Sequence, residues 1–335
     1  MLNSWIGRGS NAARNADKVG LGATRRPVIG VALGGGAARG FAHIGMLRTL
    51  ISHGIVPNVV VGTSIGAVVG GAYACGHLDK LEEWARSLQP RNILGYLDIR
   101  LNGSGLIGGS RLAAELEASI GPTLIEDLPI KYATVATEVR TGHEIWLTHG
   151  RMVDAMRASY ALPGIFSPVL VGDRWLVDGA LVNPVPVSAA RALGADIVIA
   201  INLNGDIGSK GAVIYSHGAT SSEASAPQPP AAEPPRASFR DQVIGAATRI
   251  NPFQRREVAG PSMAAVMVDA FNITQDRIAR SRLAGDPPDV TIAPRVGRIG
   301  LFEFQRAGEA IDAGRDAVLR AADEIRTIIG HAQPA

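Results

Sequence analysis

One stretch of nine residues, 59–67, constrains the fold of this chain more than any other part of it. Three valines run into Gly-Thr-Ser-Ile-Gly, a pattern that predicts a buried strand, a tight turn and a helix over residues 67–74. Gly62 and Gly66 flank Ser64, so its hydroxyl is expected to project above the sheet at a strand-to-helix elbow. The pentapeptide leaves two interpretations open, a nucleophilic serine and a serine that caps an ordinary helix.

Strands and helices are predicted to alternate along the rest of the chain, which indicates an α/β layered core. Residues 28–33 are apolar throughout, as is typical of a parallel strand that is covered on both faces. The strands are predicted at 28–33, 59–61, 132–139, 144–147, 175–177, 197–203 and 289–293. The helices are predicted at 41–53, 67–74, 152–160, 186–193, 263–283 and 303–329, with two further helical stretches between 81 and 119.

Composition divides the chain into an arm, one domain and a tail. Residues 1–26, with few bulky apolar side chains and several basic ones, are predicted to form a flexible basic arm. Residues 27–330 are predicted to form one domain, interrupted at about 205–260 by a disordered insertion rich in Pro, Ser and Ala. The last strand and helix have no obvious core of their own, so the insertion is expected to interrupt one domain rather than divide two. Residues 331–335 are left as a tail.

The overall charge and the cysteine content narrow the class of protein. A formal net charge of +3 is too small to argue for nucleic acid, and no nucleic-acid partner is predicted. Cys75 is the sole cysteine, so no intramolecular disulfide can form, which suits a reducing compartment. No segment reaches the roughly 18 continuous apolar residues that span a bilayer, and the N-terminus lacks a signal peptide. We predict a cytoplasmic protein whose basic arm could make peripheral contact with anionic lipid.

A glycine-rich loop at residues 34–40 joins the first predicted strand to the first helix, where its N–H groups can converge on an anion. A Walker loop would continue with Lys-Ser or Lys-Thr after Gly40, but Phe-Ala follows. A dinucleotide fingerprint would place glycine at Arg39 and an acidic residue at Gly62. The remaining use is an oxyanion hole beside the serine of the second strand. Arg39 could orient the loop or add positive charge there, and the alternative is a surface ion pair.

A nucleophilic serine needs a base, and the sequence offers few. His217 and His331 are the only histidines after Asp178; one lies in the predicted insertion and the other in the tail. A carboxylate can act directly as base if it is held within hydrogen-bond reach of the hydroxyl. Asp178 follows Trp-Leu-Val, which is strand-like, and precedes Gly-Ala, which would allow a close approach. The alternative is that Asp178 belongs to an ordinary Asp-Gly turn.

Three motifs together resemble the patatin-like phospholipases, with bacterial members and the catalytic domain of neuropathy target esterase the most similar. They are Gly-Gly-Gly-Ala-Ala-Arg-Gly-Phe-Ala-His-Ile-Gly at 34–45, Gly-Thr-Ser-Ile-Gly at 62–66 and Asp-Gly-Ala at 178–180. Ala-Leu-Pro-Gly-Ile-Phe at 161–166 also resembles the family's segment before the aspartate. Three ordered motifs are far more specific than any one of them, and the resemblance extends over roughly residues 27–203 and the final helices.

The resemblance implies a three-layer α/β/α patatin-like fold with a mainly parallel central sheet, and hydrolysis of acyl esters by a Ser-Asp dyad. It implies Ser64 as nucleophile and Asp178 as base, and phospholipids, lysophospholipids or other acyl esters as substrates, with no cofactor and no metal. The oxyanion hole that it implies comprises Gly35, Gly36, Ala37, Ala38, Arg39 and Gly40. The family's Gly-x-Gly-x-x-Gly falls on Gly35, Ala37 and Gly40, so an alanine occupies the middle position. A positive φ there would strain Ala37 by about 1 kcal/mol or more.

Two alternatives to this function stay open. One is a carboxylesterase that uses His217 as its base. The other is a catalytically idle lipid-binding or regulatory module that retains the fold. An apolar cleft for an acyl chain would need walls, for which Leu106, Ile107, Ile165 and Phe166 are candidates, although each could equally be an ordinary core residue.

Overall fold

The computed structural model describes residues 26–90, 110–205 and 263–332. The chain divides into two compact units. The first comprises the described residues up to 205 and from 275 onward, and the second comprises the described residues 263–274, which form the first half of a helix. Nearly all of the predicted basic arm and of the predicted insertion lies outside the described residues, so both stay predictions.

A mixed eight-stranded sheet forms the centre of the first unit. Its order is β5-β6-β3-β2-β1-β7-β8, with β4 paired to β3. The pairs among β3, β2, β1, β7 and β8 are parallel, whereas β4, β5 and β6 are antiparallel to their neighbours. The strands are β1 (Ile29–Leu33), β2 (Val59–Thr63), β3 (Lys131–Glu138), β4 (Glu144–Leu147), β5 (Val169–Val171), β6 (Arg174–Asp178), β7 (Ile197–Ile201) and β8 (Val290–Ile292).

Eight α-helices are present in the described part of the chain. They are α1 (Ala42–Ser52), α2 (Ile65–Ala74), α3 (Leu78–Ser87), α4 (Ser110–Ile120), α5 (Met152–Tyr160), α6 (Val187–Ala192), α7 (Met263–Gly285) and α8 (Ala307–His331). Short 3-10 turns lie at Ala37–Phe41, Ile125–Asp127, Gly179–Leu181 and Phe304–Arg306. None of the helices in these ranges is long and apolar enough to cross a membrane.

Each face of the parallel strands is covered by helices. In β1, Val31 and Leu33 join a core cluster shared with α1, α2, α3, α5 and α8. Ala32, between them, joins a second cluster with α6 and the last part of α7. Apolar residues on both faces explain why β1 shows no polar alternation. The three-layer α/β/α fold with a mainly parallel sheet is therefore confirmed.

Strand β3 brings two strand ends together. Val135 pairs with Thr63 of β2 and with Trp146 of β4, and the next residue, Ala136, pairs with Asp178 of β6 and with β4 again. Strand β4 therefore pairs with one edge of β3, and β2 and β6 pair with successive parts of the opposite edge. Because β2 runs parallel to β3 and β6 antiparallel, their carboxyl ends meet at adjacent positions. Ser64 directly follows β2, so this register carries it to Asp178.

The element boundaries differ from the sequence predictions mostly by one to three residues. The elbow helix α2 begins at Ile65, two residues before the predicted start. Strand β7 ends at Ile201 instead of residue 203, and the closing helix is preceded by a separate 3-10 turn. Strand β5 was not predicted, since three residues give too short a pattern to detect.

Candidate active site

Ser64 lies at the turn between β2 and α2 in a strained backbone conformation. Its φ is 57° and its ψ is −124°, outside the regions that L-residues favour. Within the described ranges, Ala37 is the one other non-glycine residue with positive φ, at 48°. Such conformations cost of order 1–3 kcal/mol each and concentrate at functional sites. Both strained residues belong to predicted motifs.

The two glycines that flank Ser64 are required because other backbone segments pass too close to leave room for a side chain. A Cβ atom on Gly62 would clash with the backbone of Gly66 and Ala67, at the start of α2. A Cβ on Gly66 would clash with the carbonyl of Leu33 at the end of β1. The predicted elbow residues thus let the turn close tightly against its own helix and against the neighbouring strand.

Ser64 and Asp178 form a hydrogen bond. The Ser64 hydroxyl donates to Oδ2 of Asp178 at 2.7 Å, and both residues are buried. Oδ1 of Asp178 accepts the backbone N–H of Ala180 at 2.8 Å, and the Asp178 backbone N–H donates to the carbonyl of Ala161 at 3.0 Å. Thr137 donates its hydroxyl to the Asp178 carbonyl at 2.9 Å. The aspartate is therefore held at both its carboxylate and its backbone.

Burial changes the protonation behaviour of this carboxylate. Loss of solvation raises the pKa of Asp178 to about 7, against the opposing effects of the hydrogen bonds from Ala180 and Ser64, which lower it. A carboxylate with a pKa near 7 is a far stronger base than an exposed aspartate, yet a large fraction of it is ionised at neutral pH.

Ser159 supports the elbow and was missed by the sequence analysis. Its hydroxyl oxygen accepts the backbone N–H of Ser64 at 2.9 Å and donates to the carbonyl of Val135 at 2.6 Å. Ser159 lies on α5, far along the chain, within a stretch that reads as an amphipathic helix. The one available signal was a serine that helical spacing places on the buried side.

The glycine loop packs directly beside Ser64. A Cβ on Gly35 would lie 3.5 Å from Cβ of Ser64 and 3.4 Å from Cβ of Ala180. A Cβ on Gly40 would clash with the Ile65 side chain, which follows the serine. The structure thus brings the three predicted motifs together at the carboxyl ends of β1, β2 and β6.

The N–H groups of the predicted six-residue hole are not equally available. Gly35 donates to the Pro184 carbonyl at 3.0 Å, Ala38 to Leu301 at 3.0 Å and Arg39 to Gly36 at 3.1 Å. Gly40 lies inside the 3-10 turn Ala37–Phe41, whose i→i+3 bonding engages its N–H. Among described residues, the backbone N–H groups of Gly36 and Ala37 have no protein acceptor. The candidate donors therefore narrow to these two. The φ of Ala37 is positive, which is the condition under which an alanine at this position of the glycine motif is strained.

Arg39 does not lie at the surface, where the ion-pair interpretation placed it. It is 6% exposed, and Nε donates to the carbonyl of Ile299 at 2.7 Å. Burial lowers the pKa of Arg39, while the charge of Glu303 raises it. The guanidinium instead joins the glycine loop to the segment that precedes α8, which is compatible with an orienting role.

No histidine in the described part of the chain is hydrogen-bonded to Ser64. His43, on α1, is fully buried, and its Nε2 lies 2.8 Å from the carbonyl of Gly34. His331 is the last residue of α8. His217 lies outside the described residues, as do Leu106 and Ile107, so their predicted roles stay predictions.

The other candidate cleft walls are partly buried. Phe166 packs against the main core and makes an edge-to-face contact with Tyr160, with ring centroids 5.4 Å apart. Ile165 is partly exposed beside it. Across residues 26–90, 110–205 and 263–332, no group of three or more His, Cys, Asp or Glu side chains could hold a metal ion.

Comparisons with known proteins agree with these motifs. The family model for patatin-like phospholipase matches residues 31–191. An uncharacterized NTE family protein of Mycobacterium tuberculosis is 40% identical over 179 residues, which cover 53% of this chain and 50% of that protein. A second from that organism is 30% identical over 322 residues, covering 94% of this chain and 50% of that protein. The neuropathy target esterase sws of Drosophila melanogaster is 33% identical over 189 residues, 54% of this chain and 13% of that protein.

Among solved structures, VipD from Legionella pneumophila aligns with a TM-score of 0.46 and 12% identity, covering 90% of this chain and 68% of that chain. The chain spans about half the length of the mycobacterial relatives that it matches. The stretch matched by the family model contains the glycine loop, Ser64 and Asp178. The resemblance is thereby confirmed, and the chain carries a domain of the patatin-like phospholipase family.

Proposed function

We propose that this protein is a serine acyl hydrolase that cleaves lipid esters, with Ser64 as nucleophile and Asp178 as general base. The observation that carries the proposal is the 2.7 Å hydrogen bond between the Ser64 hydroxyl and Oδ2 of Asp178. Family membership supports the reaction class, and the two N–H groups without protein acceptors supply the third component of acyl transfer.

In the acylation step, the ionised Asp178 carboxylate takes the proton of the Ser64 hydroxyl while its Oγ attacks the ester carbonyl carbon. The carbonyl oxygen becomes an oxyanion, and the N–H groups of Gly36 and Ala37 donate to it. The tetrahedral intermediate then collapses to the acyl-enzyme, and the alcohol leaves with the proton held by Asp178. The α2 helix begins at Ile65, so its positive dipole end also favours negative charge at this point.

In the deacylation step, Asp178 takes a proton from a water molecule that attacks the acyl-enzyme carbonyl. The same two N–H groups stabilise the second oxyanion, and collapse returns the proton to Ser64 and releases the carboxylic acid. One carboxylate serves both steps because each step begins with its ionised form and ends by restoring it. The Ala180 N–H, which donates to the carboxylate, and the Ala161 carbonyl, which accepts the Asp178 backbone N–H, hold the aspartate in place throughout.

The family indicates the class of substrate and not the individual substrate. Phospholipids, lysophospholipids or other acyl esters fit the proposed chemistry, and no step requires a cofactor. Peripheral membrane contact and a cytoplasmic location stay predictions, as does the absence of a nucleic-acid partner. The basic arm on which the membrane prediction rests lies outside the described residues.

The test is turnover of a short-chain nitrophenyl ester and of a lysophospholipid by the wild type, Ser64→Ala, Asp178→Asn and His217→Ala. Ser52→Ala and Asp173→Asn make the same chemical changes at exposed positions and serve as matched controls. We expect Ser64→Ala and Asp178→Asn to lose about 10³-fold or more in kcat. The controls and His217→Ala should keep wild-type rates, and all variants should show native circular dichroism.

Three results would contradict the proposal. An Asp178→Asn variant with wild-type turnover would remove the aspartate from the mechanism. Loss of activity in His217→Ala alone would favour the histidine-dependent carboxylesterase. A folded wild type that neither turns over ester nor reacts with a fluorophosphonate would favour the idle lipid-binding or regulatory module.

A further inference from the structure

The glycine loop opens with three successive glycines, 34–36, so its shape depends on what holds it. Glycine has no Cβ, and its neighbouring peptide planes rotate at little steric cost. The N–H groups of Gly36 and Ala37 can serve a single oxyanion only if their peptide planes are kept in one orientation. The peptide plane that precedes them joins Gly34 to Gly35.

His43 and Pro184 hold this preceding peptide at its two ends. Nε2 of His43 lies 2.8 Å from the Gly34 carbonyl oxygen, and the Gly35 N–H donates to the Pro184 carbonyl at 3.0 Å. The carbonyl and the N–H of one peptide group lie in one plane, so two such bonds fix its orientation. A carbonyl oxygen only accepts, which assigns the proton of His43 to Nε2.

The far side of the loop is held independently. The Gly36 carbonyl accepts the N–H of Arg39, and the Ala38 N–H donates to the carbonyl of Leu301. The Gly36 carbonyl and the Ala37 N–H belong to one peptide group, so the bond from Arg39 holds the Ala37 donor directly. The Gly36 donor belongs to the peptide group between this one and the Gly34–Gly35 peptide, which His43 and Pro184 hold. Of these bonds, the bond from His43 is the one made by a side chain to the glycine run itself.

Burial of His43 costs free energy that an apolar side chain at the same position would not cost. It is fully buried, and in the described part of the chain its Nδ1 has no hydrogen-bond partner. An unpaired buried nitrogen costs free energy, whereas an apolar side chain of similar size would fill the same space without that penalty. Burial lowers the pKa of His43 to about 4, so the ring is neutral near pH 7. Nε2 contacts the loop and Nδ1 hydrogen-bonds to no polar atom of the described residues, so neither ring nitrogen is placed to act as base for Ser64.

We propose that His43 is a positioning residue for the oxyanion hole: its hydrogen bond to Gly34 keeps the N–H groups of Gly36 and Ala37 aimed at one point beside Ser64. This inference rests on the proposed function, because a donor pair has a catalytic use only if an oxyanion forms there. It adds to that function a residue on α1 that does not touch the substrate.

The test compares an oxygen ester with the matching thionoester, in which sulfur replaces the carbonyl oxygen. Sulfur is larger and accepts hydrogen bonds poorly, so a well-aligned hole favours the oxygen ester and a misaligned hole loses that preference. The variants are His43→Leu, which removes the donor, and His43→Gln, whose amide nitrogen can occupy the place of Nε2. Thr49→Val is the matched control, because it removes another buried side-chain hydrogen bond on α1, from Oγ1 to the Gly45 carbonyl.

We expect His43→Leu to lower kcat for the oxygen ester about tenfold or more, with KM changed by less than about twofold. The rate ratio of oxygen ester to thionoester should fall with it. His43→Gln should recover most of both quantities, and Thr49→Val should keep the wild-type ratio. If His43→Leu does not fold, His43→Asn replaces it, since its shorter amide falls short of Gly34 while staying polar.

Two results overturn the inference while leaving the proposed function intact. One is a wild-type kcat and ratio in both His43→Leu and His43→Asn. The other is an equal loss on both esters, which would show that His43 acts only on general stability. A folded wild type without Ser64-dependent turnover of the oxygen ester overturns the proposed function and this inference together.

Discussion

The serine elbow and the glycine loop each hold a non-glycine residue at positive φ, but they do so in different ways. At the elbow, Ser64 is constrained by residues of its own turn, where Gly62 and Gly66 let strand and helix approach closely. In the loop, Ala37 lies among permissive glycines. The loop is held by N–H groups that donate to the carbonyls of Pro184 and Leu301 and by the His43 side chain, which donates to the Gly34 carbonyl.

The difference separates two ways of storing strain at a site. Strain at the elbow follows from local geometry, so it should persist as long as β2 and α2 are folded. Strain in the loop depends on elements that are distant in sequence, so it should be sensitive to how those elements pack. Changes at the elbow should therefore cost stability and activity together, whereas changes around the loop should mainly affect the alignment of the donors.

The largest effect is expected at the elbow itself, from Gly66→Ala. The new Cβ would lie 2.9 Å from the Gly34 carbonyl oxygen and would clash with the carbonyl of Leu33, both of them backbone atoms that cannot move aside. We expect a loss of about 3 kcal/mol or more in the free energy of unfolding, measured with urea, and no detectable hydrolysis. Gly330→Ala is the control, because nothing lies within 4 Å of a Cβ there. A stable, active Gly66→Ala would show that close approach to the end of β1 does not constrain the elbow.

The pH dependence of hydrolysis distinguishes the base from the loop. As the proposed base, Asp178 has to be ionised to accept a proton, and burial raises its pKa to about 7. We therefore expect kcat to fall about tenfold per pH unit below pH 6. Loop variants such as His43→Gln should leave this midpoint unchanged. A midpoint near pH 4 in a pH–rate profile would contradict the assignment of Asp178 as a buried base.

The same carboxylate makes a prediction about stability. Its folded pKa, about 7, lies above the value of about 4 that is usual for an unfolded aspartate, so burial favours the protonated form. Its contribution to stability is fully present below pH 4 and is lost as the pH rises through 7. Urea unfolding between pH 4 and 8 should show this decline in the wild type and a smaller one in Asp178→Asn. An equal decline in both would assign it to other groups.

Ser159→Ala tests whether the conformation of the elbow is maintained by residues of its own turn alone. This change removes the acceptor of the Ser64 N–H and the donor to Val135, so we expect a loss of about 1–3 kcal/mol in unfolding free energy. Thr134→Val is the control, since it removes a buried hydroxyl that donates to the Ala155 carbonyl. If Ser159→Ala loses much more kcat than the control at equal stability, distant support matters at the elbow too.

The smallest effect is expected from Ala37→Gly. Glycine relieves the positive φ but gains backbone entropy in the unfolded chain, so the change in unfolding free energy should stay within about 1 kcal/mol. The hydrogen bonds around the loop remain, so kcat should change by no more than a few fold. A large drop in kcat would show that the Cβ of Ala37 itself helps to align the donors, and would weaken the contrast with the elbow.

The features that were predicted correctly depend mostly on residues that are close together in the sequence. Runs of apolar residues indicated β1 and β2, and α5 has the bounds that were predicted for it. The layered fold followed from the alternation of strands and helices. The elbow could be predicted because a serine at such a bend requires glycines two residues before and two residues after it, here Gly62 and Gly66. Three-residue β5 was missed, since so short a strand has no period to detect.

The sequence by itself determined that a serine, an aspartate and a glycine loop would end strands of one sheet, because each motif needs particular residues at fixed local spacing. Only the tertiary structure decided how β3 brings Ser64 to Asp178, which N–H groups of the loop stay without acceptors, and that Arg39 is buried. The physical reason is that a hydrogen-bond partner is chosen by packing between distant segments. Every residue has a backbone carbonyl, so the sequence does not indicate that the carbonyl of Leu301 accepts a hydrogen bond from the loop.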